Sequence, residues 1–281
     1  MATTSLTYKL GGELEVNRMG YGGMQLTGPG VWGDAPDREL AKRVLISAVE
    51  SGVNFIDTAD SYGPHTNEVL IREALYPYYA DIVVATKGGL ERTGPNQWPV
   101  NGRPEHIRKA IDGSLQRLGK DEIQLWQLHR VDSRVPIEES LGPVADAVTA
   151  GKIRHVGLSE ASVADIERAQ KVVPIISVQN LYNLAERKWE AVIDYTAERD
   201  IAFIPWYPLA SGPGKLQEKI GTMAVKYQAT PAQIALAWLL KRSANILLIP
   251  GTKSLEHLQE NLAAIRVELA DEDVDSLSGQ D

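Results

Sequence analysis

The fold class the sequence predicts is a (β/α)8 barrel preceded by a short β-hairpin, and three observations predict it. The chain has 281 residues, close to the roughly 250 of one α/β barrel. Eight short apolar runs alternate with amphipathic helical stretches along it. Those runs are apolar on both faces, as strands covered by helices are. An open doubly wound sheet shares the alternation and is the competing architecture, but strict repetition of the unit favours ring closure. One domain spanning residues 1–281 is expected, because no linker, low-complexity tract or charge block interrupts the pattern.

The first element is a hairpin: Leu6–Lys9 and Leu14–Asn17 are short alternating runs around the turn signal Gly11-Gly12. The barrel strands are then expected at Arg18–Tyr21, Asn54–Asp57, Ile82–Thr86, Ile123–Leu128, His155–Leu158, Ile175–Gln179, Ala202–Trp206 and Ile246–Ile249. Between them the 3.6-residue apolar period marks helices such as Asp37–Ser51, Pro104–Arg117, Ile137–Ala150, Ser162–Lys171 and Glu186–Glu198. Asp37 and Ser162 are suited to cap helix N-termini, and Pro104 and Pro231 to open first turns.

Composition narrows the function. A net charge of −8 argues against nucleic acid or an anionic membrane as the main partner, though not against a small anionic ligand. The absence of cysteine removes disulfides and thiolate metal sites. Met1–Leu10 lacks the pattern of a signal peptide, and no run reaches the ~18 apolar residues of a membrane helix. A soluble cytoplasmic enzyme acting on a small molecule is expected, with a monomer as the default state.

Chemistry in a barrel gathers at the C-terminal ends of the strands. Asp57, Asp60 and Tyr62 follow the second strand, Lys87 the third and His129 the fourth. Ser159 and Glu160 follow the fifth, Gln179 and Asn180 the sixth, Trp206 and Tyr207 the seventh, and Gly251, Thr252 and Lys253 the eighth. Asp57, Tyr62, Lys87 and His129 stand on three consecutive strand ends, and neighbouring strands lie ~4.8 Å apart. A Lys87 ammonium, fixed by Asp57, would lower the Tyr62 pKa and make it a general acid, while His129 polarises a substrate carbonyl. Lys87 as a Schiff-base nucleophile is the other catalytic reading; the adjacent Asp57 opposes it by keeping the lysine charged.

Motifs along nearly the whole chain resemble those of the aldo-keto reductases. They are Asn54-Phe55-Ile56-Asp57-Thr58-Ala59-Asp60-Ser61-Tyr62-Gly63, Ile82–Lys87, Leu118-Gly119 with Leu128-His129, and Gly151–Ser159. Val178-Gln179-Asn180, Pro205–Leu209 and Ile249–Ser254 complete the set in the family's order. The resemblance implies a (β/α)8 barrel that uses NADPH to reduce aldehydes and ketones, with Asp57, Tyr62, Lys87 and His129 as catalytic tetrad and no metal. It also implies that Ser159 and Gln179 hold the nicotinamide carboxamide, that Trp206 stacks on its ring, that Tyr207 is a further cofactor contact, and that Leu209 and Gly212 belong to the loop over the pyrophosphate. Gly251, Thr252, Lys253 and His257 would hold the 2′-phosphate, and Glu260 and Asn261 would lie near adenine. For Trp206 the competing role is a cap on the core; for Lys253 it is a solvated surface lysine.

Two positions depart from the family pattern. Glu160 stands where Asn is usual; an ionised carboxylate accepts but cannot donate to the carboxamide oxygen, so it either accepts from the carboxamide N–H or turns away. His257 stands where many NADPH-specific members carry Arg, a better phosphate ligand, so NADH use is admitted beside NADPH. The stretches Gly20–Gly30, Ile71–Tyr78, Trp238–Ser243 and Asn245–Thr252 resemble those of bacterial members of the family similar to pyridoxal reductase. Substrate choice is assigned to loops bearing Trp32, Trp98 and Tyr207, although the two tryptophans serve equally to pack loops. The short Ser211–Lys215 segment leads to the expectation of a partly enclosed cofactor site. A non-catalytic NADP(H)-binding sensor on the same fold is the alternative function.

Overall fold

Leu10 pairs with Leu14 across Gly11 and Gly12, both at positive φ, and so joins β1 (Thr7–Leu10) to β2 (Leu14–Asn17) in an antiparallel hairpin. The computed structural model describes residues 6–78, 81–209 and 214–279. After the hairpin come β3 (Tyr21–Gly22), α1 (Arg38–Glu50), β4 (Phe55–Asp57), α2 (Thr66–Leu75) and β5 (Val83–Gly88). They are followed by α3 (Pro104–Leu118), β6 (Ile123–Leu128), α4 (Ile137–Thr149), β7 (Ile153–Ser159), α5 (Val163–Ala169) and β8 (Ile175–Gln179). The last are α6 (Glu190–Ala197), β9 (Ala202–Phe203), α7 (Lys215–Lys226), α8 (Pro231–Arg242), α9 (Leu255–Ala263) and α10 (Asp271–Leu277).

Strands β3 to β9 form one parallel sheet in sequence order. The eighth expected strand closes it: Leu248 bridges Met19 and Ile246 bridges Phe203, both parallel. The fold is the expected α/β barrel, with strands shorter than expected at the seam. Arg18 Nε donates to the Ile246 carbonyl at 2.9 Å, and Asn245 Nδ2 donates to the Ile201 carbonyl at 2.7 Å. Side chains thus occupy acceptors that a longer ladder would use. β9 stops at Phe203 rather than Trp206 because Pro205 has no N–H to donate; Trp206 instead bridges Leu181.

Helix starts follow the capping chemistry. Asp37 accepts from Leu40 N, Ser162 and Thr230 each form a capping box, and Pro104 and Pro231 occupy first turns. The expected Glu186–Glu198 helix begins only at Glu190. The Asn183 side chain accepts from Ala185 N and Glu186 N, holding that stretch in a turn.

Leu10 and Val16 of the hairpin pack with Phe55, Val83, Leu125, Ala202 and Leu247 in one buried cluster. The hairpin therefore covers the end where the strands begin, and the opposite end is left for chemistry. Among the described residues, no helix is long and apolar enough to cross a membrane.

Candidate active site

Asp57 is the last residue of β4 and Lys87 lies near the end of β5. Their side chains meet in the interior: Lys87 Nζ donates to Asp57 Oδ2 at 2.6 Å and to the Thr58 carbonyl at 2.8 Å. The second Asp57 oxygen accepts from Gln179 Nε2 at 2.8 Å and from Gln127 Nε2 at 3.4 Å. A buried ion pair is tolerable only when its remaining hydrogen-bonding capacity is used in this way.

Tyr62 lies in the turn before α2, and the Lys87 ammonium is 5.2 Å from the centre of its ring. The imidazole of His129, just after β6, meets the Tyr62 ring edge-on with 5.9 Å between centroids. Its Nδ1 is 3.3 Å from Ser61 Oγ.

Burial pushes the Tyr62 phenol above its ordinary value; the Lys87 ammonium pulls it down and the Asp57 carboxylate adds to the rise. The pull of Lys87 has the direction expected from sequence, but burial outweighs it, so the net lowering expected there is corrected to a rise. Burial alone would lower Lys87, but Asp57 and Tyr62 outweigh it and hold the ammonium above the usual lysine range. Burial, Lys87, Arg130 and Arg92 hold His129 well below the ordinary histidine value, so its imidazole is neutral.

A folded-state pKa below the unfolded one gives stability that is present above the ordinary value and lost as pH falls below it. His129 should therefore make the protein less stable on acidification below about pH 6.5, by up to about 1.4 kcal/mol per pH unit. His65 and His106, also lowered by burial, act in the same direction. Urea titrations at pH 7.5 and 5.5 should show a smaller acid loss in His129→Gln than in the parent; an equal loss would count against a neutral buried His129.

A cavity of about 520 Å³ opens at this end of the barrel. Asp57, Tyr62 and His129 lie on its wall together with Ser159, Gln179 and Trp206. Trp98, Tyr207, Leu209 and Gly251 also line it. Gly22 and Gly251 meet where the first strand passes the end of the last. A Cβ on Gly251 would stand 2.6 Å from the Gly22 carbonyl oxygen, so no larger residue fits there without a shift.

Tyr207 is 61% exposed, at the rim. Thr252, Lys253, His257, Glu260 and Asn261 do not line this wall. Thr252 lies behind Gly251, its hydroxyl accepting from Ser254 N at 3.0 Å and its carbonyl accepting from the Tyr21 hydroxyl. Lys253 and His257 are exposed around the start of α9, and Asn261 is buried within it. The Glu260 carbonyl accepts from Gln233 Nε2 at 2.9 Å. Gly212 and Ser211 lie outside the described residues.

Glu160 faces Trp206: its Oε1 accepts from the indole Nε1 at 2.8 Å and from Leu181 N at 2.5 Å. Of the two roles left open for it, the structure contains the one turned toward protein partners. Trp32 is absent from the cavity wall and instead lies 5.5 Å from the Arg92 guanidinium.

Arg92 was not legible as a site residue. It donates to the carbonyls of Gln97, Val31, Ser61, Gly30 and Gly94 at 2.9, 2.7, 2.8, 2.9 and 3.3 Å. Its guanidinium also lies 3.6 Å from the Trp98 ring centre. Three loops are thereby tied together, and Trp98 is held 6.4 Å from Tyr62. Arg92→Met should cost about 2–3 kcal/mol in urea unfolding and should raise KM for aromatic substrates more than it lowers kcat. Unchanged stability would show that the loops do not depend on it. Arg130, Met24 and Gln25 also line the cavity without having been expected. For Arg130 the signal was available, since it is the second of two basic residues ending an apolar strand.

The aldo/keto reductase family model matches residues 18–280. The chain is 48% identical over 265 residues to an uncharacterized oxidoreductase of Schizosaccharomyces pombe, covering 93% of this chain and 85% of that protein. It is 43% identical over 282 residues to pyridoxine 4-dehydrogenase of Escherichia coli, covering 98% of both. Among solved structures, it resembles a thermostable aldo-keto reductase in complex with the inhibitor epalrestat, with TM-score 0.87, 27% identity and coverage of 99% and 100% of the two chains. It also resembles an aldo-keto reductase from Klebsiella pneumoniae in complex with NADPH, with TM-score 0.81, 25% identity and coverage of 100% and 95%. A barrel with this arrangement at its strand ends and these relatives is an oxidoreductase, and the chain belongs to the aldo/keto reductase family.

Proposed function

We propose that this chain reduces an aldehyde or ketone to the alcohol with NADPH, Tyr62 being the proton donor. The observation that carries the reading is the buried Lys87–Asp57 pair beneath Tyr62, with His129 beside it on the wall of a cavity. The residues present suit the cofactor. Trp206 offers a flat ring on which nicotinamide can stack. With Gln179 Nε2 engaged by Asp57, its side-chain oxygen is left to accept from the carboxamide N–H, and Ser159 adds a hydroxyl. The N-terminus of α9, with Lys253 beside it, suits a phosphate, and a relative in the same fold was solved with NADPH. His257 in place of a guanidinium leaves room for NADH.

NADPH, when bound, supplies the hydride that goes to the carbonyl carbon. Tyr62 gives its hydroxyl proton to the carbonyl oxygen as charge develops there. The Lys87 ammonium stabilises the phenolate left behind, and Asp57 keeps that ammonium in place. If Ser61 donates its hydroxyl to His129 Nδ1, the neutral ring carries its proton on Nε2 and can donate it to the same carbonyl oxygen. The raised Tyr62 value keeps the phenol protonated at neutral pH.

Pyridoxal is the first substrate to try, given the name of the Escherichia coli relative, and Trp98 offers it an aromatic wall. A panel of pyridoxal, aromatic aldehydes and bulky cyclic ketones, assayed with NADPH and NADH, tests the reading. NADPH oxidation exceeding NADH oxidation is expected. Tight NADPH binding without turnover of any carbonyl would contradict it and indicate a cofactor-binding sensor.

A further inference from the structure

β6 delivers two consecutive basic residues to the cavity, His129 and Arg130. The Arg130 guanidinium uses only one of its ends. Nη1 donates to the His129 carbonyl at 2.6 Å and to Ser159 Oγ at 3.1 Å, and Cζ lies 5.7 Å from the centre of the Trp206 ring. Nε and Nη2 have no hydrogen-bond partner among the described residues, and no carboxylate there lies within 4.0 Å of the guanidinium. Three of its five N–H groups are therefore uncommitted.

Its charge has no bonded counter-ion among the described residues, although the Glu160 carboxylate acts on it from beyond 4.0 Å. Lys87 is matched by Asp57 at 2.6 Å, and that carboxylate also accepts from Gln179 and Gln127. His129 is neutral. Glu160, whose charge acts on Arg130, directs its Oε1 to Trp206 and Leu181 rather than to the guanidinium. Leu90, Val100, Leu209 and Ile249 supply apolar wall. A half-buried cation with free donors beside such a wall is stabilised by an anionic oxygen that can take two N–H bonds.

We propose that Arg130 binds an anionic oxygen group carried by the carbonyl substrate, so that the favoured substrates are aldehydes or ketones bearing a carboxylate or a phosphate. The proposal rests on the reductase reading given above. It adds to that reading the chemical class of the substrate and the residue that selects it. Arg130 reaches the cavity between His129 and Trp206, so the anion lies on the same side as the group being reduced. The carboxylate–guanidinium pair fixes the substrate's orientation before Tyr62 transfers its proton.

The test compares acids with their neutral esters, so that any effect common to both cancels. The parent, Arg130→Met and Arg130→Lys are assayed at saturating NADPH with 3- and 4-carboxybenzaldehyde and with the methyl esters of both. In Arg130→Met the acid-to-ester ratio of kcat/KM for the better acid is expected to fall about 30-fold. In Arg130→Lys, which keeps the charge but loses the fork, a smaller fall is expected. The pair pyridoxal 5′-phosphate and pyridoxal distinguishes phosphate from carboxylate as the favoured anion.

Should Arg130→Met fail to fold, the Lys variant and the salt response of the parent carry the test. Added NaCl should raise KM for the acid and leave that for the ester nearly unchanged. Acid and ester losing activity together in both variants would overturn the proposal and leave Arg130 as a support for His129 and Ser159. No turnover of any carbonyl by the parent would instead overturn the reductase reading. In that case benzoate binding, followed by tryptophan fluorescence, decides the anion site separately: it should weaken at least tenfold in Arg130→Met, and equal or absent binding overturns the proposal.

Discussion

Tyr62→Phe should lower kcat about 10³-fold, within the range for loss of a positioned general acid, and should leave NADPH affinity within a few-fold of the parent. The size follows from what the substitution removes. Phenylalanine keeps the ring that packs edge-on against Trp98 and His129, so the cavity retains its shape. Only the hydroxyl goes, and with it the proton that neutralises the developing alkoxide. His129 can still donate a hydrogen bond to that oxygen, but as a neutral imidazole its remaining N–H is far too weak an acid to give up the proton. Steady-state kinetics with any substrate from the panel, alongside fluorescence titration with NADPH, separates the two effects. Activity retained in Tyr62→Phe would remove the phenol from the mechanism.

The second large effect concerns the pair beneath it. Asp57→Ala should destabilise the protein by about 3–5 kcal/mol, the usual cost of leaving one member of a buried pair unmatched, and should abolish most turnover. The fully buried Lys87 ammonium would keep the Thr58 carbonyl and the Tyr62 hydroxyl as partners but would have no carboxylate to match its charge. The double variant Asp57→Leu with Lys87→Met should recover much of the stability and none of the activity, which separates the folding cost from the chemistry.

The pH dependence has a definite sign. Lys87 is held above its ordinary value of 10.5, so its stabilisation is fully present below that pH and is lost as pH rises through the folded value. Urea unfolding should show this alkaline loss in the parent and a smaller one in Asp57→Ala. The same slope in both would show that Asp57 does not hold the lysine charged.

What was legible in the chain follows from which interactions are local. Asp57, Lys87 and His129 could be placed because each ends a continuous apolar run, and parallel strands in sequence order bring such ends together. The seam of the barrel was less legible. Arg18 and Asn245 bind carbonyls belonging to other segments, and no local pattern shows that a side chain will replace a ladder hydrogen bond.

The late start of α6 has the same origin in the Asn183 turn. The net direction of the Tyr62 shift is not legible in the sequence, which shows a neighbouring lysine but not the burial that outweighs it. Trp32 and Trp98 looked alike as loop aromatics. In the structure the Arg92 guanidinium lies against both rings, yet Trp98 alone of the two lines the cavity. Glu160 could be recognised as a departure from its family, but its partner Trp206 lies 46 positions away in the chain.

In the proposed reaction, hydride passes to a carbonyl carbon while Tyr62 protonates the oxygen. The most direct measurement uses NADPH carrying deuterium at both positions of nicotinamide C4, with pyridoxal or the best aldehyde of the panel, followed by mass spectrometry of the alcohol. One deuterium on the former carbonyl carbon per cofactor oxidised is expected from the parent, with the yield falling about 10³-fold in Tyr62→Phe. Alcohol without the label, or cofactor bound and left unoxidised in the presence of every carbonyl, would contradict it.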